Sequence, residues 1–233
     1  MSGERPMTIA IDGPSGSGKS SVSRAVARAL GVGYLDTGAM YRAVTWWCVE
    51  NAVDLADADA VARAARTVPL EMGTDPAAPS VSVDGRDIGA AIRTTEISSV
   101  VSTVATNLEV RAELRRRQRV LMAQIAEQTG GVVAEGRDIT TVVSPDADVR
   151  ILLTASEEAR LRRRSAELHG EASAATMEAT RDQVVRRDRD DSTVSTFHEA
   201  ADGVILVDTS DLDFEQSVRA VLEVVAAATA ARS

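Results

Sequence analysis

The chain has 233 residues, 44% of them apolar, and a formal net charge of −9, so it can build one sizeable core, with or without small inserted lobes. The acidic balance argues against a general binder of nucleic-acid polymers or anionic membranes, because both attract a positive field. One cysteine, Cys48, and two histidines, His169 and His198, leave no internal disulfide or zinc cluster to build and fit a reducing cytoplasm; residues 1–6 carry no apolar leader, and no run approaches the roughly 18 apolar residues of a membrane span.

Met7 to Ile11 is a short apolar run ending in a glycine-rich loop, and Ser21 to Leu30 then repeats apolar residues at helical spacing, which predicts strand, loop and helix. Gly31 and Gly33 stop that helix; Tyr34 to Gly38 leads into a second amphipathic helix, about 39–51, and a third is predicted over 57–66. Between about Pro69 and Asn107 the composition changes. Gly73, Asp75-Pro76, Pro79, the alternation Ser80-Val81-Ser82-Val83 and Asp84-Gly85 predict a small β-rich insert with a tight turn. A long helix follows over 109–128, then a buried strand at Val132 to Ala134 and another at Val149 to Leu153. Ser156-Glu157-Glu158 opens an arginine-dense helix, and 170–175 is small and polar, suited to a flap. A helix over 177–189, a strand over 204–207 and a last helix over 214–228 complete the chain. Strands separated by helices imply an α/β fold: a parallel sheet between two helical layers, with the insert as an addition.

Gly13-Pro14-Ser15-Gly16-Ser17-Gly18-Lys19-Ser20 fits G-x-x-x-x-G-K-[ST], and the strand before it and the helix after it are what that motif requires. Of 26 basic residues Lys19 is the only lysine. A chain that elsewhere uses arginine keeps an ammonium here because a loop curled around a phosphate admits a compact point charge and not a planar fork. Backbone amides of Gly16, Ser17 and Gly18 are expected to hold the β-phosphate of a nucleoside triphosphate, Lys19 to bridge its β and γ oxygens, Ser20 to place a hydroxyl on Mg²⁺, and Ser21 to complete the site. The loop marks a nucleoside triphosphate user without naming the acceptor.

Leu35 to Arg42, Ile92-Arg93-Thr94, Glu135 to Asp138, and Arg187-Asp188 with Asp191-Ser192 resemble, in order and over nearly the whole chain, the motifs of bacterial cytidylate kinases. That resemblance implies a P-loop nucleoside monophosphate kinase passing the γ-phosphate of ATP to CMP or dCMP. It also implies a core (1–66 and 109–233), a nucleotide-binding insert (67–108) and a mobile lid (157–176). A phosphate acceptor must be held against a donor that repels it, so several guanidinium groups are needed. By resemblance Arg42 and Arg137 hold the CMP phosphate and Tyr41 lines its pocket; Arg93, at the edge of the insert, closes with it. Cytosine offers an N4 donor beside an N3 acceptor, so a carboxylate beside a donor can read it. Asp138, Arg111 and Ser102 match the positions that do so in the family. Asp36, Thr37 and Gly38 belong to the same set, Asp36 either assisting Mg²⁺ through water or orienting the acceptor and Thr37 bonding either the base or the phosphate, and Arg187 and Asp191 resemble the pair that contacts the sugar hydroxyls.

Arg160, Arg163 and Arg164 are expected to bring positive charge over the transferring phosphoryl group. Two departures from the family stand out. Where it commonly reads Ser-Thr-Arg, this chain has Ser192-Thr193-Val194 and so lacks one phosphate-binding arginine; where it usually has glycine, this chain has Thr140. A monomer acting on small nucleotides in the cytoplasm is expected. A P-loop kinase for UMP, AMP or another metabolite, and a non-catalytic NTP-binding module, remain as alternatives.

Overall fold

The computed structural model describes residues 5–170 and 172–230, with the side chains of 167–169, 174, 179, 182, 183 and 187 excepted. The chain runs through β1 (Met7–Asp12), α1 (Lys19–Leu30), β2 (Gly33–Asp36), α2 (Thr37–Glu50) and α3 (Ala58–Thr67). Three short strands follow, β3 (Leu70–Met72), β4 (Val81–Val83) and β5 (Arg86–Asp87), then α4 (Thr95–Ala105) and α5 (Leu108–Thr129). The remainder is β6 (Gly131–Gly136), β7 (Val149–Thr154), α6 (Glu157–His169), α7 (Ala174–Asp191), β8 (Ile205–Asp208) and α8 (Phe214–Ala230).

Five strands form a parallel sheet in the order β2-β6-β1-β7-β8. Each central strand is buried on both faces, which is why these stretches read as continuous apolar runs. Successive residues of β1 face opposite layers: Ile9 and Ile11 pack with Val22 and Val26 of α1 and Val221 and Val225 of α8, whereas Ala10 joins Val132, Ala134 and the side chains of α2 and α5. Small residues at Ala10 and Ala134 let the second layer approach closely. Asp12, Asp36 and Glu135 stand at the carboxyl ends of three adjacent strands, the edge where an open α/β sheet receives ligands.

The insert is a three-stranded antiparallel sheet, β3-β4-β5, with Asp84-Gly85 at its turn and both residues at positive φ. Its last part differs from the sequence expectation. Residues 95–105 are a helix, α4, capped by the Thr94 hydroxyl accepting from the Ile97 amide. Its β-branched residues suggest a strand, yet Ile97, Val101 and Val104 recur at helical spacing and bury one face against the core. Gly33–Asp36 likewise forms edge strand β2 rather than only a lead-in to α2.

Candidate active site

The loop between β1 and α1 takes its shape from glycine. Gly16 and Gly18 have φ of 76° and 87°, and a Cβ on Gly16 would lie 2.6 Å from the Arg160 carbonyl oxygen. Both positions demand a residue without a side chain. Behind the loop, Glu135 is fully buried; Ser20 donates to its Oε1 at 2.7 Å, Tyr34 donates to the same oxygen at 3.3 Å, and Lys19 Nζ lies 3.8 Å from Oε2. Burial pushes the Glu135 carboxyl up to about 7, with the neighbouring Asp36 charge adding to the rise and Lys19 opposing it. The Glu135 carbonyl accepts from the Thr37 hydroxyl at 2.7 Å.

These groups border a cleft of about 570 Å³ that also takes in Ser21, Asp36, Arg42, Arg93, Arg137 and Arg164. Glycine 73, Ser80 and Gly89 bring the insert to its rim. Arg42 is anchored to the Ile92 carbonyl at 3.0 Å and to Ser98 Oγ at 2.8 Å, and Arg93 reaches Asp36 at 3.4 Å. Asp36 also caps α2 by accepting from the Ala39 amide. With Arg24, five guanidinium groups and one ammonium therefore line this cleft.

A second, smaller pocket of about 40 Å³ opens beside the first, bounded by Tyr41, Arg111, Asp138, Asp191 and Ser195. Gly38, Gly136 and Arg137 border both. Arg111, on the buried face of α5, bonds Asp138 Oδ2 at 2.7 Å, and Arg115 one turn later bonds the same oxygen through Nε at 3.1 Å and Nη2 at 2.8 Å. Among the described residues no donor takes Oδ1. The pocket thus presents a carboxylate oxygen ready to accept, beside a guanidinium ready to donate. The Arg111 guanidinium lies 5.8 Å from the Tyr41 ring centre, and burial pushes the Tyr41 hydroxyl up to about 12, so tyrosine stays a neutral wall.

The three arginines expected over the transferring group, Arg160, Arg163 and Arg164, part company. Arg164 borders the larger cleft. Arg160 instead donates to the Ser15 carbonyl at 3.0 Å and pairs with Asp188, while Arg163 donates to the Ser17 carbonyl at 3.1 Å and to the Thr209 and Leu212 carbonyls. Those two brace the outer, carbonyl side of the loop. Ser102, expected at the base, lies on α4 between Val101 and Ala105, which line the pocket, and is one step, about 100°, from Val101 around the helix. Ser195 Oγ accepts from Arg111 Nη2 at 2.7 Å. Asp191 reaches Arg137 at 3.2 Å; the side chain of Arg187 lies outside the described residues.

Four residues to which the sequence assigns no role stand beside these groups: Arg115, Asp188, Ser195 and Phe197. The segment that lost the family arginine supplies two of them. Phe197 is buried and stacks under Arg137, its ring centre 4.4 Å from the guanidinium carbon, a cation–π contact that fixes the plane of that side chain. Thr140 is also explained. It needs no positive φ, and its hydroxyl and amide both bond Asp12 Oδ2, at 2.6 and 2.8 Å, fastening the turn after Asp138 to the end of β1.

The cytidylate kinase family profile matches residues 9–227. The chain belongs to the cytidylate kinase family. It is 50% identical over 225 residues to a cytidylate kinase of Streptomyces avermitilis, covering 96% of this chain and 94% of that one. To a cytidylate kinase of Cutibacterium acnes it is 49% identical over 222 residues, 94% and 96% of the two chains. Among solved structures, an uncharacterized protein from Eubacterium ventriosum superposes with a TM-score of 0.51 at 10% identity, over 93% of this chain and 96% of the other; that likeness extends to the fold.

Proposed function

We propose that this member of the family transfers the γ-phosphoryl group of ATP to CMP or dCMP, giving ADP and CDP or dCDP. The observation that carries the reading is Asp138: two arginines hold Oδ2 and leave Oδ1 to accept from the N4 amino group of cytosine. Uracil would set its O4 against that oxygen, and a mispaired buried polar group costs about 1–3 kcal/mol. The pocket holding Asp138 meets the donor cleft at Arg137, so a base bound there presents its 5′-phosphate toward the γ-phosphate.

An oxygen of that monophosphate attacks the γ-phosphorus in line, and the bond to the β–γ bridging oxygen breaks as ADP leaves. The dianion needs no general base. This chain's residues supply position and charge: the loop amides and Lys19 hold the triphosphate, Arg42, Arg93 and Arg137 hold the acceptor phosphate, and Arg164 faces the transferring group. Arg160 and Arg163 act by bracing the loop, and Asp191, with Arg187, serves the sugar hydroxyls. Mg²⁺ fits the hard oxygens beside the loop, the Ser20 hydroxyl above all, with Glu135 and Asp36 behind it; when bound it neutralises phosphate charge.

The insert (67–108) and the segment 157–176 are the parts proposed to close over the core. A cytoplasmic monomer is the proposed setting; among the described residues no helix is long and apolar enough to cross a membrane. The test is ADP release with ATP and Mg²⁺ across CMP, dCMP, UMP and AMP. Preference for the two cytosine nucleotides is expected. Preference for UMP, AMP or neither would move the assignment to another acceptor, and ATP binding without turnover on any of the four would make the chain a binding module.

A further inference from the structure

Asp188 is buried yet borders neither cleft. It sits on α7 between three groups that belong to three different parts of the machinery. Its Oδ1 accepts from the Ser15 amide of the donor loop at 3.0 Å and from Arg137 Nη1 at 2.9 Å, and its Oδ2 pairs with Arg160 of α6. Burial alone would raise the Asp188 carboxyl, but Arg137, the Ser15 amide and Arg160 together hold it below the ordinary range, so it stays charged.

We propose that Asp188 is a positioning residue that locks the donor loop, the acceptor-binding Arg137 and the lid arginine Arg160 into one rigid unit. The proposal rests on the kinase reading above. A guanidinium that borders both clefts is useful only if its plane is fixed; Asp188 on one edge, Asp191 on another and Phe197 beneath it do so. Asp188 also touches the donor loop. The same carboxylate oxygen therefore sets the Ser15 backbone and the Arg137 fork at once, and a shift in either is felt by the other. In the family motif this aspartate follows the sugar-contacting arginine, and the geometry gives it this separate task.

Asp188→Asn keeps the volume and removes the charge. Its amide cannot accept from Ser15, Arg137 and Arg160 together, because one of the two terminal atoms becomes a donor facing a guanidinium. Steady-state kinetics of the full chain, with ATP and CMP varied in turn, should show KM for both nucleotides raised about threefold or more and kcat lowered about tenfold or more. Asp191→Asn should raise KM for CMP while leaving that for ATP near wild type. A general loosening of the fold would lower the active fraction, hence kcat, and leave both KM values alone. An unchanged KM for ATP in Asp188→Asn overturns the proposal. If that variant does not fold, Asp188→Glu, which keeps the charge and displaces it by one methylene, should show the same two-nucleotide pattern at about twofold; wild-type KM for ATP there would equally overturn it. Failure of the wild-type chain to phosphorylate CMP would instead refute the proposed function.

Discussion

The larger cleft, proposed to take the donor, and the smaller pocket, proposed to take the acceptor base, are built in opposite ways. The first is backbone: six consecutive residues, 13–18, between β1 and α1, bent by Gly16 and Gly18 at positive φ. The second is side chain: Tyr41 from α2, Arg111 from α5, Asp138 after β6, Asp191 from α7 and Ser195 beyond it. A triphosphate tail has no identity to check beyond charge and shape, so amides suffice. A base must be distinguished from a near-isostere, and that takes donors and acceptors fixed in three dimensions.

The contrast can be broken at its strongest point by Lys19→Met, which removes the one ammonium from the donor cleft. Turnover is expected to fall about 10³-fold or more, with CMP binding by calorimetry little altered; substantial turnover would mean that the amides alone suffice. Asp138→Asn probes the other half. Arg111 and Arg115 require an acceptor, so the amide oxygen turns to them and the NH₂ faces the pocket, replacing an acceptor by a donor. The ratio of kcat/KM for CMP over UMP should drop about 10- to 100-fold, and an unchanged ratio would relocate base discrimination.

A third expectation concerns pH. Burial raises Glu135 from 4.5 to about 7 and Asp12 from 3.8 to about 6, the latter despite bonds from Thr140 and Ile139 that pull it down. Both carboxyls hold protons more tightly in the folded chain than in the unfolded one. Their contribution is therefore complete at low pH and is lost as pH rises toward 7, and the Tm of the nucleotide-free protein should decline between pH 5 and pH 7. Glu135→Gln should flatten that decline; a Tm that rises equally steeply in both proteins would contradict it. The smallest effect belongs to Thr140→Gly. Losing the 2.6 Å hydroxyl bond to Asp12 should cost about 1 kcal/mol of stability in denaturant titration, with the CMP preference retained.

The same division explains what could be read in the sequence. Strand β1, the loop and α1 follow from local pattern, because a backbone site is written in neighbouring residues. So do the long α5 and the strands that bury both faces. Helix α4 was hidden because Ile97, Val100, Val101 and Val104 are residues that favour strands, and tertiary packing overrode that bias. Arg115 looked like one more surface arginine of an arginine-rich helix. Ser195 and Phe197 lie where the chain leaves its family's pattern, so neither motif nor periodicity marks them; only folding brings them to Arg111 and Arg137. Ser102 and Val101 differ by one step along a helix, a distinction that spacing without the fold does not make.

The solitary lysine has a chemical corollary. Its side chain is 15% exposed and opens into the cleft of the phosphate loop. Any reagent that acylates side-chain amines finds a single address on this molecule, and that address is position 19. Acylation of side-chain amines, ordinarily scattered over a protein's surface, is here confined to the place where the triphosphate would sit.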